Sequence, residues 1–339
     1  MSSAPLTPLT DEIDVIDIGP FVDGSAPGPV IDAVGRANEE IGFLVVTGHG
    51  IGSDTVDPLI DAASAFFALP LEEKRRSEPD HDWWFRGYQA MGVSALGRLD
   101  GVDTPPDLCE LFRIGRFESW DEATDAGYRP GREQSFVPNI WPDACPELRP
   151  AMRRYYDSVT ELADRLLTIF ALALHMPADH FTALCRRHVS DLYVNHYPAQ
   201  DRPPVPGQLR RGPHSDFGTL TVLHVGDEPG GLQVESGGGW LDVPHVPGAF
   251  VINIGDLMAR WTNDRWVSTR HRVVNPPPDR AAEDRLSIPY FHTPDYDTVV
   301  ECLPTCLAPG EAPHHPPITA GEWALQQNRR NVGAEEQAS

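Results

Sequence analysis

Apolar residues recur at steps of three and four from about Pro146 to His175. Met152, Tyr155, Val159, Leu162, Leu166, Ile169 and Ala173 fall on one face there and predict a long scaffold helix. Pro150 lies near its first turn, where proline is tolerated. The same period marks about Val30 to Ile41, through Ile31, Val34, Ala37 and Ile41, with Gly42 as a helix stop. A further helix, from about Ser53 to Leu69, sets Leu59, Ala62, Ala63, Phe66 and Phe67 on one side, and Pro58 leaves its start open. Shorter helices are expected over about 178–188 and about 320–329, the second opened by the capping box Thr319-Ala320-Gly321-Glu322. Between the helices, Ile13–Ile18, Phe43–Val46 and Cys109–Arg116 read as strands, and 118–146 as a connector rich in proline, glycine and acids.

From Ser190 to Cys302 the pattern changes to short strands separated by turns such as Asp227-Glu228-Pro229-Gly230-Gly231 and Ser236-Gly237-Gly238-Gly239. Spacings near ten residues indicate an antiparallel sandwich or barrel, and a jelly roll fits best. The expected class is α+β: a double-stranded β-helix core flanked by helices, with a helical N-terminal region. Four segments are expected: an N-terminal region over 1–130, a connector and scaffold helix over 131–189, the jelly-roll core over 190–302, and a C-terminal helix and tail over 303–339.

Composition narrows the function classes. The chain has 339 residues, 40% of them hydrophobic, enough for a sizeable core. No apolar run approaches the roughly 20 residues of a membrane span, and residues 1–11 lack a secretory pattern, so a cytoplasmic protein is expected. A net charge of −23 opposes nucleic acid and anionic lipid as partners. The five cysteines are scattered with no Cys-x-x-Cys pair, which argues for reduced thiols. The sequence is rich in alanine, proline and glycine, with Lys74 the single lysine, a composition typical of GC-rich bacterial genomes.

Candidate chemistry centres on Gly212-Pro213-His214-Ser215-Asp216-Phe217. In an extended segment His214 and Asp216 point the same way, and His271 follows 55 residues after Asp216, far enough to occupy another strand. Two histidines and a carboxylate with open positions form the facial triad of non-haem Fe(II) oxygenases. The pairs Arg285/Ser287 and Asn195/Tyr197 share the same two-residue spacing. An arginine facing a barrel interior needs an anion, and its planar fork suits a carboxylate. Alternation puts Phe291 on the face of Arg285 and Ser287, provided Pro289 does not bend the strand. The aromatic cluster Trp83–Tyr88 reads either as pocket lining or as packing. Tyr88, Phe112 and Arg113 are further substrate-contact candidates. His49, between turn glycines, reads as structural; His196 should face away from Asn195 and Tyr197; and His224, His245, His314 and His315 are not needed for a metal.

The ordered set resembles the isopenicillin N synthase-like family of Fe(II)/2-oxoglutarate-dependent dioxygenases. The resemblance rests on Asn195-His196-Tyr197-Pro198, His214-Ser215-Asp216, Gly230-Gly231-Leu232-Gln233-Val234, Asn253-Ile254-Gly255-Asp256, His271-Arg272-Val273 and Arg285-Leu286-Ser287. Upstream, Glu40-Ile41-Gly42-Phe43 through Gly48-His49-Gly50-Ile51 matches a family phrase, and the likeness spans about 13–325. It implies that His214, Asp216 and His271 ligate Fe(II). It implies too that Arg285 and Ser287 hold the distal carboxylate of 2-oxoglutarate, with Tyr197 and Asn195 in support and no catalytic residue beyond the metal centre. The implied reaction consumes O2, converts 2-oxoglutarate to succinate and carbon dioxide, and hydroxylates, desaturates or cyclises a small molecule, in natural-product biosynthesis on the evidence of the composition. Two alternatives stay open: an iron oxidase of the same fold that uses no 2-oxoglutarate, and a catalytically silent jelly-roll binding protein.

Overall fold

Apolar periodicity becomes two layers in the computed structural model, which describes residues 12–81, 84–97, 104–226 and 230–331. In chain order the N-terminal part carries β1 (Val15–Asp17), α1 (Gly19–Val22), α2 (Pro27–Glu40), β2 (Phe43–Thr47), α3 (Ser53–Phe67), α4 (Leu71–Arg75), β3 (Gly87–Gln89) and β4 (Glu110–Ile114). Helices α5 (Trp120–Asp125), α6 (Glu133–Phe136) and α7 (Leu148–Ala173) follow. Next come β5 (Asp191–Tyr197), β6 (Arg211–His214), β7 (Leu220–His224), β8 (Leu232–Ser236), β9 (Gly239–Asp242) and β10 (Phe250–Ile254). The chain ends through α8 (Asp256–Trp261), β11 (His271–Val273), β12 (Arg285–His292), β13 (Val299–Val300), β14 (Ile318–Thr319) and α9 (Ala320–Asn331). No helix among the described residues is long and apolar enough to cross a membrane.

An eight-stranded sheet in the order β1-β2-β10-β7-β12-β5-β4-β3 faces a four-stranded sheet, β6-β11-β8-β9. Strands of the N-terminal region thus extend the large sheet on both flanks. Alternation divides its side chains. Leu44, Val46, Phe112, Leu192, Val194, Val222, Ile252 and Ile288 point outward into one core with the helices. Phe43, Val45, Tyr197 and Val251 point inward, packing with Leu232, Val234 and Val273 of the small sheet. The long helix α7 buries Met152, Tyr155, Val159, Leu162, Leu166 and Ile169 on the face the periodicity predicts, each worth about 1.5–3 kcal/mol. Gly42 has φ +67°, and a Cβ there would stand 1.8 Å from the Val267 carbonyl, so α2 can turn into β2 only at glycine.

Several expected elements differ. The helix expected over 178–188 is a single 3-10 turn, Thr182–Leu184. Asp295 competes for that segment: its carboxylate accepts from Arg187 N and its N–H donates to Leu184 O. The connector over 118–146 contains α5, capped where Ser119 Oγ accepts from Glu122 N, and α6. Helices α4 and α8 and strand β3 are too short for periodicity to reveal. Helix α3 runs through Pro58. Residues 1–11 and 332–339, Trp83, and the turn residues Asp227, Glu228 and Pro229 lie outside the described residues.

The lone lysine is built into the interface between helices and sheet. Lys74 Nζ donates to Glu110 Oε2 at 2.7 Å and to Phe67 O at 3.2 Å, with both charged side chains under a tenth exposed. Tyr88 OH also donates to Glu110, and His196 Nδ1 lies 2.8 Å from its other oxygen. Burial acts to raise the Glu110 pKa, but His196, Lys74 and Tyr88 outweigh it and hold the carboxyl below its ordinary value. Glu110→Ala would leave the ammonium buried with one carbonyl, and we expect a loss of about 3–5 kcal/mol in denaturant unfolding. A loss below about 1 kcal/mol would show that water reaches Lys74.

Candidate metal centre and carboxylate clamp

Strands β6 and β11 pair so that His271 stands opposite His214, and their rings lie 4.3 Å apart between centroids. Asp216 follows on the loop after β6, its backbone carbonyl accepting from Asp256 N at 2.8 Å at the start of α8. Nε2 of His214 is 3.8 Å from Asp216 Oδ1, and Nε2 of His271 is 3.7 Å from the same oxygen. Within the described residues, these three are the one group of histidine, cysteine and acidic side chains placed to share a metal ion.

The orientation of each donor is fixed by its other atoms. His214 Nδ1 lies 2.8 Å from Gly212 O and His271 Nδ1 lies 3.3 Å from Thr269 O. A carbonyl oxygen can only accept, so each Nδ1 carries the proton and each Nε2 lone pair faces the other donors. Asp216 Oδ2 accepts from Thr221 Oγ1 at 2.5 Å and from Asn253 Nδ2 at 2.7 Å, which leaves Oδ1 for a cation. Burial, with the neighbouring His271, pushes the His214 pKa down to about 3, so the ring is neutral. Burial acts to raise Asp216, yet His271, His214, Asn253 and Thr221 together hold it below the ordinary carboxylate value. A neutral His214 ring and an ionised Asp216 carboxylate are protonation states that a divalent cation requires.

From the sequence Thr221 receives no role, and Asn253 enters there only within a family phrase. The signal was present: each is a polar residue inside an apolar strand, Phe250–Ile254 and Leu220–His224. A buried polar side chain at such a position needs a partner, and here the partner is the carboxylate.

Along the inner face of β12, Arg285 pairs in register with Tyr197 of β5, and Ser287 with Asn195. Arg285 is 7% exposed, and its guanidinium stands 5.2 Å from the centre of the Tyr197 ring. Its Nε and Nη1 have no hydrogen-bond partner among the described residues. Ser287 Oγ is 3.4 Å from Tyr197 Oη, and Asn195 Nδ2 is 3.5 Å from Ser287 Oγ, contacts too long to saturate the hydroxyls. A buried guanidinium with idle donors beside two hydroxyls fits a carboxylate, as the triad fits a metal.

Pro289 leaves β12 continuous from Arg285 to His292. Phe291 therefore keeps the inner face, in register with Thr221. Arg113 also faces inward, opposite Tyr193. Tyr88 and Phe112 do not. Both turn to the helical layer, with ring centroids 5.9 Å and 5.0 Å from Phe66, because each stands one residue out of phase with the inner positions Gly87, Leu111 and Arg113. The described part of the 83–88 cluster divides accordingly: Tyr88 packs on the helices, while Phe85 lies over Arg113 at 4.7 Å. His49 Nε2 meets Gly248 O at 2.8 Å and His196 stacks on Phe67 at 4.8 Å, both in structural roles. All five cysteines are free.

Comparison with known proteins agrees with this geometry. The 2OG-Fe(II) oxygenase superfamily model matches residues 189–294, and the model for the N-terminal region of non-haem dioxygenases in morphine synthesis matches 13–144. A 2-oxoglutarate-Fe(II) type oxidoreductase, hxnY, of Emericella nidulans is 37% identical, covering 95% of this chain and 91% of its own. Validamycin A dioxygenase of Streptomyces hygroscopicus subsp. limoneus is 31% identical over 94% of this chain and 87% of its own. A full-length Neurospora crassa protein crystallised with alpha-KG superposes with a TM-score of 0.80 at 29% identity, covering 93% of this chain and 95% of its own.

Proposed function

The chain belongs to the 2OG-Fe(II) oxygenase superfamily, and from that premise we propose that His214, Asp216 and His271 bind Fe(II) while Arg285 anchors 2-oxoglutarate. The protein is an Fe(II)/2-oxoglutarate-dependent dioxygenase acting on a small molecule. Bound iron, with 2-oxoglutarate and O2, supplies the oxidising power to functionalise a C–H bond, and 2-oxoglutarate leaves as succinate and carbon dioxide. The chain's residues do the rest. His214 and His271 present fixed lone pairs, and Thr221 and Asn253 hold Asp216 with one oxygen free. Arg285 and Ser287 receive the distal carboxylate, with Tyr197 and Asn195 behind them. Apolar inner-face residues such as Val251, Leu232 and Val243 keep the site dry.

The observation that carries the co-substrate assignment is the buried Arg285 guanidinium with two idle nitrogens. Natural-product chemistry is part of the proposal, supported by the likeness to a validamycin A dioxygenase and, at 32% identity, to the proline hydroxylase buaE of Petromyces alliaceus, and a cytoplasmic location is proposed with it. The net charge of −23 supports the exclusion of nucleic acid as a partner. The test is the ratio of succinate formed to O2 consumed during turnover of a substrate found by mass spectrometry. One succinate per O2 is expected; turnover with no succinate would point to an iron oxidase that dispenses with 2-oxoglutarate.

A further inference from the structure

Beyond the clamp, the inner face of the large sheet carries another buried cation, Arg113, 6% exposed. Register puts it between Gly87 of β3, which offers no side chain, and Tyr193 of β5. The guanidinium is flanked by rings, 4.7 Å from the centre of Phe85 and 5.7 Å from that of Tyr193. Its Nε has no hydrogen-bond partner among the described residues. Arg86, 1% exposed, lies alongside; its Nη1 is 2.9 Å from Asp191 Oδ1, and its Nε donates to Val137 O at 3.1 Å. Gly115 makes room for Arg86, since a Cβ there would stand 2.1 Å from Arg86 Nη2. The Tyr193 hydroxyl accepts a hydrogen bond from Arg113, and the charged side chains acting on this guanidinium are Asp191 and Arg86, so two guanidinium groups share one carboxylate. The cation–ring contacts offset only part of the cost of holding the surplus charge out of water.

The walls around this cation are incompletely covered. Phe85, Tyr193 and Phe291 are each half-buried, and Tyr193 and Phe291 meet edge to face at 5.0 Å. Phe291 pairs with Thr221, whose hydroxyl holds Asp216. The wall therefore runs from the iron ligands to Arg113 across three strand spacings, about 14 Å. The co-substrate clamp is elsewhere: Arg285 is in register with Tyr197, four residues along β5 from Tyr193 and about 13 Å away.

Resting on the oxygenase reading above, we infer that this wall is the substrate subsite and that Arg113 selects organic acids. The substrate's carboxylate pairs with the guanidinium, and its apolar body lies over Tyr193 and Phe291 with a C–H bond toward the metal. Arg113 is a specificity residue and takes no part in bond breaking.

The test uses the full chain loaded anaerobically with Fe(II) under saturating 2-oxoglutarate, which occupies the Arg285 clamp. Phenylacetate, 3-phenylpropionate and 4-phenylbutyrate are titrated beside their neutral amides, read by perturbation of the visible charge-transfer band and by calorimetry. At least one acid is expected to bind about tenfold to a hundredfold more tightly than its amide. Arg113→Gln should level the pair, Arg113→Lys should keep part of the preference, and 2-oxoglutarate should bind both variants as it binds the parent, showing that they fold. Acids and amides that bind alike, no acid binding at about 1 mM, or a preference that survives in Arg113→Gln each overturn the inference. Absence of the 2-oxoglutarate band in the parent protein overturns the oxygenase reading and this inference with it.

Discussion

His271→Ala is expected to lose iron and, with it, turnover by at least about three orders of magnitude, while the polypeptide stays folded. The triad offers a cation only three protein donors, with Nε2 atoms 3.8 and 3.7 Å from one carboxylate oxygen, so one deletion removes a third of the protein's ligands. The metal-free fold does not depend on this ring. His271 meets the edge of Phe43 at 5.3 Å and the Thr269 carbonyl, and the β11 ladder is backbone. Iron content after anaerobic reconstitution, activity, and the melting temperature with and without metal should be measured together. The parent should gain stability on adding Fe(II), because a ligand of the native state alone adds RT ln(1 + [L]/Kd), and the variant should gain none. A variant that keeps stoichiometric iron and activity would remove His271 from the metal site. Absence of activity in the parent as well as in the variant would favour the catalytically silent alternative.

The parts of this molecule that were legible in the sequence are those fixed by local period and by chemistry. Helix α7 announces itself through seven apolar positions, and the two-residue spacing of Arg285/Ser287 survives into three dimensions because strand alternation is a local property; Asp216 lies on the loop just after β6, where the short spacing still keeps it 3.8 Å from His214. Tyr88 and Phe112 turn to the helical layer, whereas Arg113 and Phe291 face inward. Which face of an edge strand looks inward depends on register with the neighbouring strand, and nothing near Tyr88 reveals that register. The expected helix over 178–188 failed because Asp295, more than a hundred residues away, supplies its own hydrogen bonds to Leu184 and Arg187. Thr221 was readable only as a polar residue in an apolar strand and Asn253 only as that and as part of a family phrase; their common partner, Asp216, comes from a different element. Side chains whose role depends on a long-range contact are where a single sequence stops being informative.

Arg285→Gln weakens 2-oxoglutarate binding by roughly a hundredfold or more, because truncating one member of a buried, hydrogen-bonded charge pair costs about 2–5 kcal/mol. The sign of its effect on the free protein is the opposite of the usual one for a buried arginine. Without the co-substrate, burial depresses the guanidinium's pKa, Tyr197 is its nearest support, and Nε and Nη1 go unsatisfied. A neutral amide of smaller volume gives up little there, so the ligand-free melting temperature should stay level or rise. The parent should be stabilised by about 2.7 kcal/mol at a hundred times its dissociation constant for 2-oxoglutarate, and the variant by almost nothing at the same concentration. Arg285→Lys should fall between them, since a lysine ammonium keeps the charge but cannot present two parallel donors to a carboxylate. Anaerobic titration of the charge-transfer band measures affinity without turnover, and thermal unfolding reads the linkage. If Arg285→Gln binds 2-oxoglutarate within about twofold of the parent, the distal carboxylate lies elsewhere, and the neighbouring Arg210, whose guanidinium is 5.8 Å from the centre of the Tyr197 ring, becomes the next anchor to remove.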